Sequence, residues 1–305
     1  MELQGKRFLV TGGSGFIGSH VVDRLVDAGA AEVVVFDNIV RSENLGQAGD
    51  RITIVEGDVT DPDGVARATE GVDGVFHMAV LPLGPSVENP RRAHEVNVGG
   101  ALNVFEAART ANVQKIVYSS ASSVYGDTLE TMDESQPLDT RTMYGATKLA
   151  GELYLRAYSD AYGLQYVTLR YMNVYGPRQE GGLVMSVTRR LIGGEAPTIQ
   201  GDGSQSFDFV HVRDVADANV HAMKSDVSDD VFNVGSGDEA TVREIVEKLI
   251  MITKARVEPQ YDTSQRVLMT RRVGSNARAK ERLGWVTSID LDAGLRDVVD
   301  WARTR

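Results

Sequence analysis

The 305-residue sequence contains no cysteine. This absence excludes disulfides, thiolate zinc sites, iron–sulfur clusters and a cysteine nucleophile, and it fits a reducing compartment. Basic residues are also in deficit, because 32 Lys and Arg stand against 43 Asp and Glu and give a net charge of -11. Such a field repels a phosphate backbone, so we expect no nucleic-acid partner.

Long apolar runs are missing as well. No stretch approaches the roughly 18 apolar residues of a membrane-spanning helix, and the N-terminus MELQGKRFLVTGG lacks the long apolar core of a signal peptide. The five histidines are scattered without zinc-ligand spacing, which predicts no metal site. We therefore expect a cytoplasmic protein that has no membrane partner.

What the sequence does contain is a regular alternation of β-rich runs and segments of helical period. The β-rich runs are RFLV (7–10), EVVVFD (32–37), RITIVEG (51–57), GVFHMA (74–79), KIVYSS (115–120) and QYVTLRY (165–171). Helical patterns cover 18–28 and 90–112. The alternation predicts the α/β class, with a Rossmann-type doubly wound parallel sheet covered on both faces.

The alternation becomes irregular after residue 182. We expect 207–212, a helix from Arg213 and 231–235 to return to the sheet, with further helices over 241–253 and 291–302. The predicted organisation is a dinucleotide-binding domain of residues 1–175 and 207–235. A smaller, discontinuous C-terminal substrate lobe would comprise 176–206 and 236–305.

The stretch TGGSGFIGSH (11–20) follows the first predicted strand and opens a helix. Gly12, Gly15 and Gly18 in this position allow a tight turn, close approach to a pyrophosphate and packing of the helix on the sheet. Asp37 lies 19 residues after Gly18, near the offset of the acid that binds the adenosine ribose. This favours NAD over NADP, although Arg41 offers a cation for a 2′-phosphate.

A second acid stands in GDV (57–59). We expect this segment to lie against the adenine, with Asp58 accepting a hydrogen bond from the exocyclic amine. The alternative is an ordinary acidic turn residue.

The segment TMYGATKLAGE (142–152) places Tyr144 and Lys148 four residues apart on a predicted helix, so that both project from one face. A nearby ammonium favours the phenolate of a tyrosine, whose free pKa is about 10. The pair is therefore interpreted as a proton-transfer unit. Such spacing is common on ordinary helices, and the dinucleotide loop in the same chain is what favours the functional interpretation.

Several motifs together resemble the extended short-chain dehydrogenase/reductase family of nucleotide-sugar epimerases and dehydratases. They are TGGSGFIGSH, GDVTD, HMAV (77–80), NVGGALNVFEAA (97–108), YSSASSVYGD (118–127), YGATK (144–148) and LRYMNVYGPR (169–178). The resemblance implies a Rossmann domain that binds NAD, a small lobe for a nucleoside-diphosphate sugar, and a homodimer formed through helices near 92–110 and 144–162.

The same resemblance implies roles for individual residues. Tyr144 would be the base, Lys148 would bond the nicotinamide ribose, and Asn97 would support the active-site helix unless backbone groups alone satisfy it. Asn173 would contact the diphosphate, with Arg178 also on the substrate side. The remaining predicted cofactor contacts are Phe16, Ile17, Asn38, Val59, Ala79, Ser119 and Tyr171.

The sequence departs from the family pattern at Ala121, where most relatives carry the Ser or Thr that contacts the sugar 4-hydroxyl. Ser120, Ser122 and Ser123 surround the gap, so either a neighbour replaces the hydroxyl or the enzyme works without it. The related 4,6-dehydratases carry acids at positions 122 and 123, because elimination of water needs a proton donor and a base. Serines there favour simple C4 epimerisation.

Two serines at 122 and 123 are also similar to the uronate 4-epimerases, in which small hydroxyls receive the sugar carboxylate. This similarity favours UDP-glucuronate and UDP-galacturonate as substrates. The alternative is that the serines only form a strand end in which their hydroxyls are hydrogen-bonded within the protein. Phe207 occupies a position where many relatives have an arginine for the diphosphate. That role passes to one of three arginines, which are Arg266, Arg271 and Arg272.

The sequence thus predicts an NAD-dependent UDP-sugar 4-epimerase that inverts C4 through a 4-keto sugar. A 4,6-dehydratase or C4 reductase is the alternative within enzymes. A non-catalytic sensor of NAD or sugar nucleotide is the alternative of another class.

Overall fold

The computed structural model describes residues 1–46, 49–264 and 270–305. The strands are β1 (Arg7–Thr11), β2 (Glu32–Asp37), β3 (Ile52–Glu56), β4 (Gly74–His77), β5 (Lys115–Ala121), β6 (Tyr166–Tyr171), β7 (Asn173–Tyr175), β8 (Thr198–Gln200), β9 (Ser206–Phe207), β10 (Phe209–His211), β11 (Asp230–Val234), β12 (Ala240–Thr241), β13 (Gln260–Asp262) and β14 (Arg271–Arg272). The α-helices are α1 (Phe16–Asp27), α2 (Pro62–Thr69), α3 (Leu83–Glu88), α4 (Pro90–His94), α5 (Ala101–Thr110), α6 (Met143–Tyr162), α7 (Leu183–Ile192), α8 (Val212–Lys224), α9 (Val242–Thr253), α10 (Ala277–Leu283) and α11 (Leu291–Arg303).

A seven-stranded sheet in the order β3-β2-β1-β4-β5-β6-β11 forms the centre of the molecule, and every pairing in it is parallel. The strand order reverses direction between β1 and β4, which is the switch point where such sheets bind ligands. The prediction of a doubly wound, Rossmann-type sheet is confirmed.

The two faces of the sheet bury alternate residues of each strand. On β1, Phe8 and Val10 belong to the apolar cluster that includes side chains of α1 and α8. Leu9 between them belongs to the cluster of α2, α5 and α6. This alternation positions one layer of helices on each side of the sheet.

The predicted helix over 90–112 is interrupted. Between α4 and α5 the chain forms a π-helical turn over Glu95–Gly100. A π turn contains one more residue than an α turn and is frequent at functional sites. Asn97 lies within it and is buried.

The expectation that 207–212 returns to the main sheet is wrong. β10 pairs with β7 in a separate two-stranded sheet, and β9 pairs with β12 and β14. Asp208, between β9 and β10, is fully buried, and its carboxylate accepts hydrogen bonds from the backbone of Ser236 and Gly237. A buried carboxylate requires hydrogen-bond donors, and these donors keep Asp208 beside Ser236 and Gly237. Of the segments expected to return to the main sheet, only β11 does so.

The C-terminal segments surround an apolar cluster of their own. Its side chains come mainly from α7, α9 and α11, with Tyr175 of β7 and Phe209 of β10 at its border. The division into 1–175 with 207–235 and 176–206 with 236–305 stays a prediction. Among the described residues, no helix has the length and apolarity needed to cross a bilayer.

Helix α6 has well-defined ends. The hydroxyl of Thr142 caps its N-terminus by accepting a hydrogen bond from Gly145, and Gly163 ends it in the left-handed conformation.

A buried ion pair attaches α6 to the sheet. Glu152 of α6 pairs with Arg170 of β6, with 2.6 Å between Oε2 and Nη2. Arg170 also donates to the hydroxyl of Tyr125 at 2.9 Å.

We expect Glu152→Ala to lower the free energy of unfolding by about 3–5 kcal/mol, because it leaves the Arg170 guanidinium buried without its counter-charge. Urea unfolding followed by circular dichroism measures the change. A matched control is Asp139→Asn, since the Asp139–Arg141 pair is exposed and such pairs contribute about 1 kcal/mol or less. Equal effects of the two substitutions would contradict the assigned role of the buried pair.

Candidate active site

A cleft of about 520 Å³ runs along the carboxyl edge of the central sheet. Its walls contain every residue predicted to contact the cofactor: Gly12, Gly15, Phe16, Ile17, Gly18, Asp37, Asn38, Asp58, Val59, Ala79, Ser119, Tyr144, Lys148 and Tyr171. Sequence reasoning missed Leu81 and Pro82 in the segment after β4, and Arg92, Val96 and Glu180. The position of Leu81 in the segment that follows β4 at the carboxyl edge of the sheet could have indicated it.

The glycines of the first loop leave no room for side chains. Gly12 has a positive φ of 66°, and a Cβ there would lie 2.8 Å from the backbone nitrogen of Ala79. A Cβ on Gly18 would overlap the carbonyl oxygen of Gly12. Gly15 precedes α1 without a side-chain cap, so the first amides of α1 keep free donors for an anion. This geometry fits the pyrophosphate of NAD.

Asp37 ends β2 at the same edge. One carboxylate oxygen accepts hydrogen bonds from the backbone nitrogen and the hydroxyl of Ser14, at 3.0 and 2.8 Å, and the other accepts from the nitrogen of Ile39 at 3.2 Å. A carboxylate has about four acceptor sites, so Asp37 retains capacity for ribose hydroxyls.

Asp58 has the hydrogen bonds of a turn residue and also an ion pair. One carboxylate oxygen accepts from the backbone and hydroxyl of Thr60, as in a turn, while the other lies 2.5 Å from Nη2 of Arg92. Burial opposes the charge, yet these hydrogen bonds and the Arg92 cation hold the pKa of Asp58 below its usual value. Contact with adenine stays a prediction, because Arg92 already pairs with this acid.

Tyr144 and Lys148 project from α6 into the cleft. Nζ of Lys148 donates to the carbonyl of Ser119 at 2.6 Å and lies 6.0 Å from the ring centre of Tyr144. Burial lowers the pKa of Lys148 to about 7, against the opposing charge of Glu152. Burial also raises the pKa of Tyr144 to about 12, and the charge of Arg272 opposes the shift. The phenol of the protein alone is therefore protonated at neutral pH, and a further cation is needed to favour the phenolate.

Asn97 connects three elements. Its Oδ1 accepts from the nitrogen of Leu81 at 2.7 Å, and its Nδ2 donates to the carbonyl of Leu81 and to the hydroxyl of Thr147, both at 3.0 Å. Thr147 lies on α6 between the tyrosine and the lysine. Asn97 thus binds both a backbone segment and the active-site helix.

The serines around Ala121 differ in their surroundings. Ser120 borders the cleft, but its hydroxyl donates to Glu152 at 2.5 Å. Ser122 and Ser123 are buried in the short turn after β5 and do not line the cleft. The Ser123 hydroxyl has no hydrogen-bond partner among the described residues.

Two predicted substrate contacts lie in and after β7, with Asn173 opening the strand and Arg178 in the turn that follows it. Asn173 makes a 3.4 Å hydrogen bond from Nδ2 to the carbonyl of Asp208. Arg178 borders the cofactor cleft and lies 2.7 Å from the carboxylate of Asp23 in α1.

The arginines proposed to contact the diphosphate differ in their surroundings. Arg271 pairs with Glu239 at 2.9 Å and donates to the carbonyl of Leu129. Arg272 is largely buried, its Nε has no partner in the described part of the chain, and its charge acts on Tyr144. Arg266 lies outside the described residues. Of the two candidate arginines within the described residues, Arg272 is therefore the one whose charge affects the pKa of Tyr144.

The sequence pattern of the NAD dependent epimerase/dehydratase family matches residues 8–235. The chain belongs to this family. NAD is accordingly the cofactor, and the cofactor contacts named above stay predictions.

Relatives match over nearly the whole chain. A UDP-glucose 4-epimerase of Mycolicibacterium smegmatis is 37% identical, covering 98% of this chain and 99% of that protein. The crystal structure of UDP-glucose 4-epimerase from Thermotoga maritima with UDP-glucose has a TM-score of 0.92 at 35% identity, covering 98% and 99%. That of the Thermus thermophilus enzyme with NAD has a TM-score of 0.88 at 34% identity, covering 97% and 99%.

Other activities occur among the relatives. A UDP-glucuronic acid decarboxylase of Arabidopsis thaliana is 32% identical, covering 95% of this chain and 86% of that protein. Similarity alone therefore does not select one reaction within the family.

We expect NAD+ to lower the pKa of Tyr144 by at least about one unit, because the positive nicotinamide ring favours the phenolate. Difference absorbance at 295 nm during alkaline titration reports the phenolate. Subtraction of the Tyr144→Phe titration isolates this residue, with and without NAD+. An identical midpoint in both conditions would contradict the prediction.

Proposed function

We propose that the protein is a UDP-sugar 4-epimerase. The observation that carries the proposal is the Tyr144 and Lys148 pair at the cleft, combined with serines at 122 and 123 where elimination would need acids. The similarity to UDP-glucose 4-epimerases over nearly the full length supports the same reaction.

The residues divide the work between binding and proton transfer. NAD, when bound, supplies a reversible hydride acceptor. The free amides of α1 hold its pyrophosphate, Asp37 its adenosine ribose and Lys148 its nicotinamide ribose. Tyr144 would remove the proton of the sugar 4-hydroxyl while C4 loses its hydride to that acceptor, and the two losses together would give a 4-keto sugar. After the sugar ring has turned its other face, C4 would regain the hydride and Tyr144 would return the proton to the oxygen.

Because Ala121 has no hydroxyl, Tyr144 is the only side chain that transfers this proton in the proposal. Ser120 is the adjacent serine that borders the cleft, but its hydroxyl donates to Glu152. Asn97 acts through Thr147 by fixing α6 and is a positioning residue.

UDP-glucose and UDP-galactose are the first substrate candidates, since this is the activity of the relatives described above. UDP-glucuronate and UDP-galacturonate are the second candidates. The paired serines favour them, and Arg272 offers a buried cation for an anionic group of the nucleotide sugar. For either sugar, Arg272 supplies the positive charge for the diphosphate that many relatives carry at the position of Phe207.

We expect the purified protein to form one C4 epimer from UDP-glucose or UDP-glucuronate without net NADH, as followed by proton NMR. Tyr144→Phe should reduce the rate by about 10²–10⁴-fold, because general base catalysis is lost. Tyr162→Phe, at the exposed end of α6, is the matched control and should retain the rate.

Other products would replace the proposal. A 4-keto-6-deoxy product indicates a dehydratase, and stoichiometric NADH consumption indicates a C4 reductase. Binding of NAD with no conversion of UDP-glucose, UDP-glucuronate or UDP-N-acetylglucosamine indicates a sensor.

We also propose a homodimer formed through α6 and the helices near 92–110, with the neighbouring α3 extending the surface. Leu83 and Val87 of α3 and Leu153 and Tyr154 of α6 are large apolar side chains that stand exposed. Exposed apolar patches of this kind mark association surfaces.

Light scattering after size-exclusion chromatography should give the mass of two chains, or about twice the 33.1 kDa of one. Leu153→Glu should shift it towards one chain, because a charge would be desolvated at the interface. Met251→Glu, at an exposed position of α9, should leave the mass unchanged. A wild-type protein of single-chain mass would refute the dimer.

A further inference from the structure

Each of the three arginines that border the cofactor cleft faces a carboxylate. The pairs are Arg41 with Glu180, Arg92 with Asp58, and Arg178 with Asp23. Asp37, in contrast, has no ion-pair partner within the described ranges and accepts hydrogen bonds from neutral groups. The end of the cleft that takes the adenosine ribose therefore offers an acid and no uncommitted arginine.

Arg41 is the arginine closest to Asp37 through hydrogen bonds. Its backbone nitrogen donates to the hydroxyl of Ser14 at 3.1 Å, and that hydroxyl donates to Asp37 at 2.8 Å. An arginine near the ribose acid is the feature by which dinucleotide-binding proteins accommodate the 2′-phosphate of NADP. By position alone, Arg41 would serve this purpose.

Glu180 prevents that use. Its two carboxylate oxygens accept from Nε and Nη2 of Arg41 at 2.7 and 3.2 Å, a bidentate pairing that fixes the guanidinium plane. Glu180 is 139 residues distant in sequence, and its own carbonyl accepts from Arg189 of α7 at 2.7 Å. The acid is thus held at the cleft by the segment that leads into the C-terminal helices.

We propose that Glu180 is a specificity-determining residue that keeps the site selective for NAD against NADP. It engages the guanidinium of Arg41 and adds a negative charge beside the ribose position, so that a 2′-phosphate meets repulsion and no available partner. Asp37 is a second, independent determinant. The inference concerns nucleotide binding and does not depend on which sugar reaction the protein catalyses.

The test equilibrates the protein with an equimolar mixture of NAD+ and NADP+ until the bound ratio is constant, and quantifies the nucleotides released on denaturation. Glu180→Gln should raise the bound ratio of NADP+ to NAD+ about tenfold, a size consistent with a bidentate but largely exposed pair. NAD+ should still predominate because Asp37 remains.

Two further variants separate the mechanism from a change in net charge. Glu43→Gln removes one negative charge from the same loop as Arg41 without lining the cleft, and it should leave the ratio unchanged. Arg41→Ala combined with Glu180→Gln should abolish the gain. An unchanged ratio in Glu180→Gln, an equal gain in Glu43→Gln, or a gain that persists without Arg41 would each overturn the proposal. A protein that binds NAD but converts no sugar would overturn only the proposed function.

Discussion

The candidate site depends on how closely α6 lies on the sheet. The buried ion pair of Glu152 and Arg170 attaches the helix to β6, and Gly151 beside it allows close contact, since a Cβ there would overlap the hydroxyl of Tyr118. Tyr144 and Lys148 lie two turns and one turn before this anchor on the same helix. Their position at the cleft is therefore set by packing that occurs outside the cleft.

The protein carries a net negative charge, and its cofactor is also an anion. Charges beyond about 10 Å are largely screened, so binding in the cleft depends on short-range contacts. Its arginines are neutralised in pairs, while Lys148 donates to a backbone carbonyl and Arg272 forms no ion pair within the described residues. Burial acts on both of these cations and lowers the pKa of each, to about 7 for Lys148 and about 10 for Arg272. An anion bound close to either group would favour its charged form.

Local sequence patterns predicted the strands of the central sheet and the glycine loop, because the alternation of strand and helix patterns is visible along the chain itself. The cofactor contacts named from the motifs all line the cleft, whereas Leu81 and Glu180, which also line it, were not predicted. The path of 207–212 was not predictable in this way, since it depends on donors near Ser236 that reach Asp208 only in the folded chain. The partners of Arg41 and Arg92 were likewise missed, because each pair joins segments distant in sequence. The raised pKa of Tyr144 depends on burial, which spacing alone does not give. Substrate contacts stay the least determined part, with Arg266 outside the described residues.

The π-helical turn over Glu95–Gly100 has a consequence for how this chain can vary. The extra residue lets Asn97 face Leu81 and Thr147 while Val104 further along still packs in the core. Removing one residue here would restore α geometry, because a π turn accommodates one extra residue in a helix, and it would remove the turn that directs Asn97 towards Leu81 and Thr147. The number of residues between Asn97 and Val104 is then constrained as strongly as their identities. Over evolutionary time, this segment would accept substitutions far more readily than insertions or deletions.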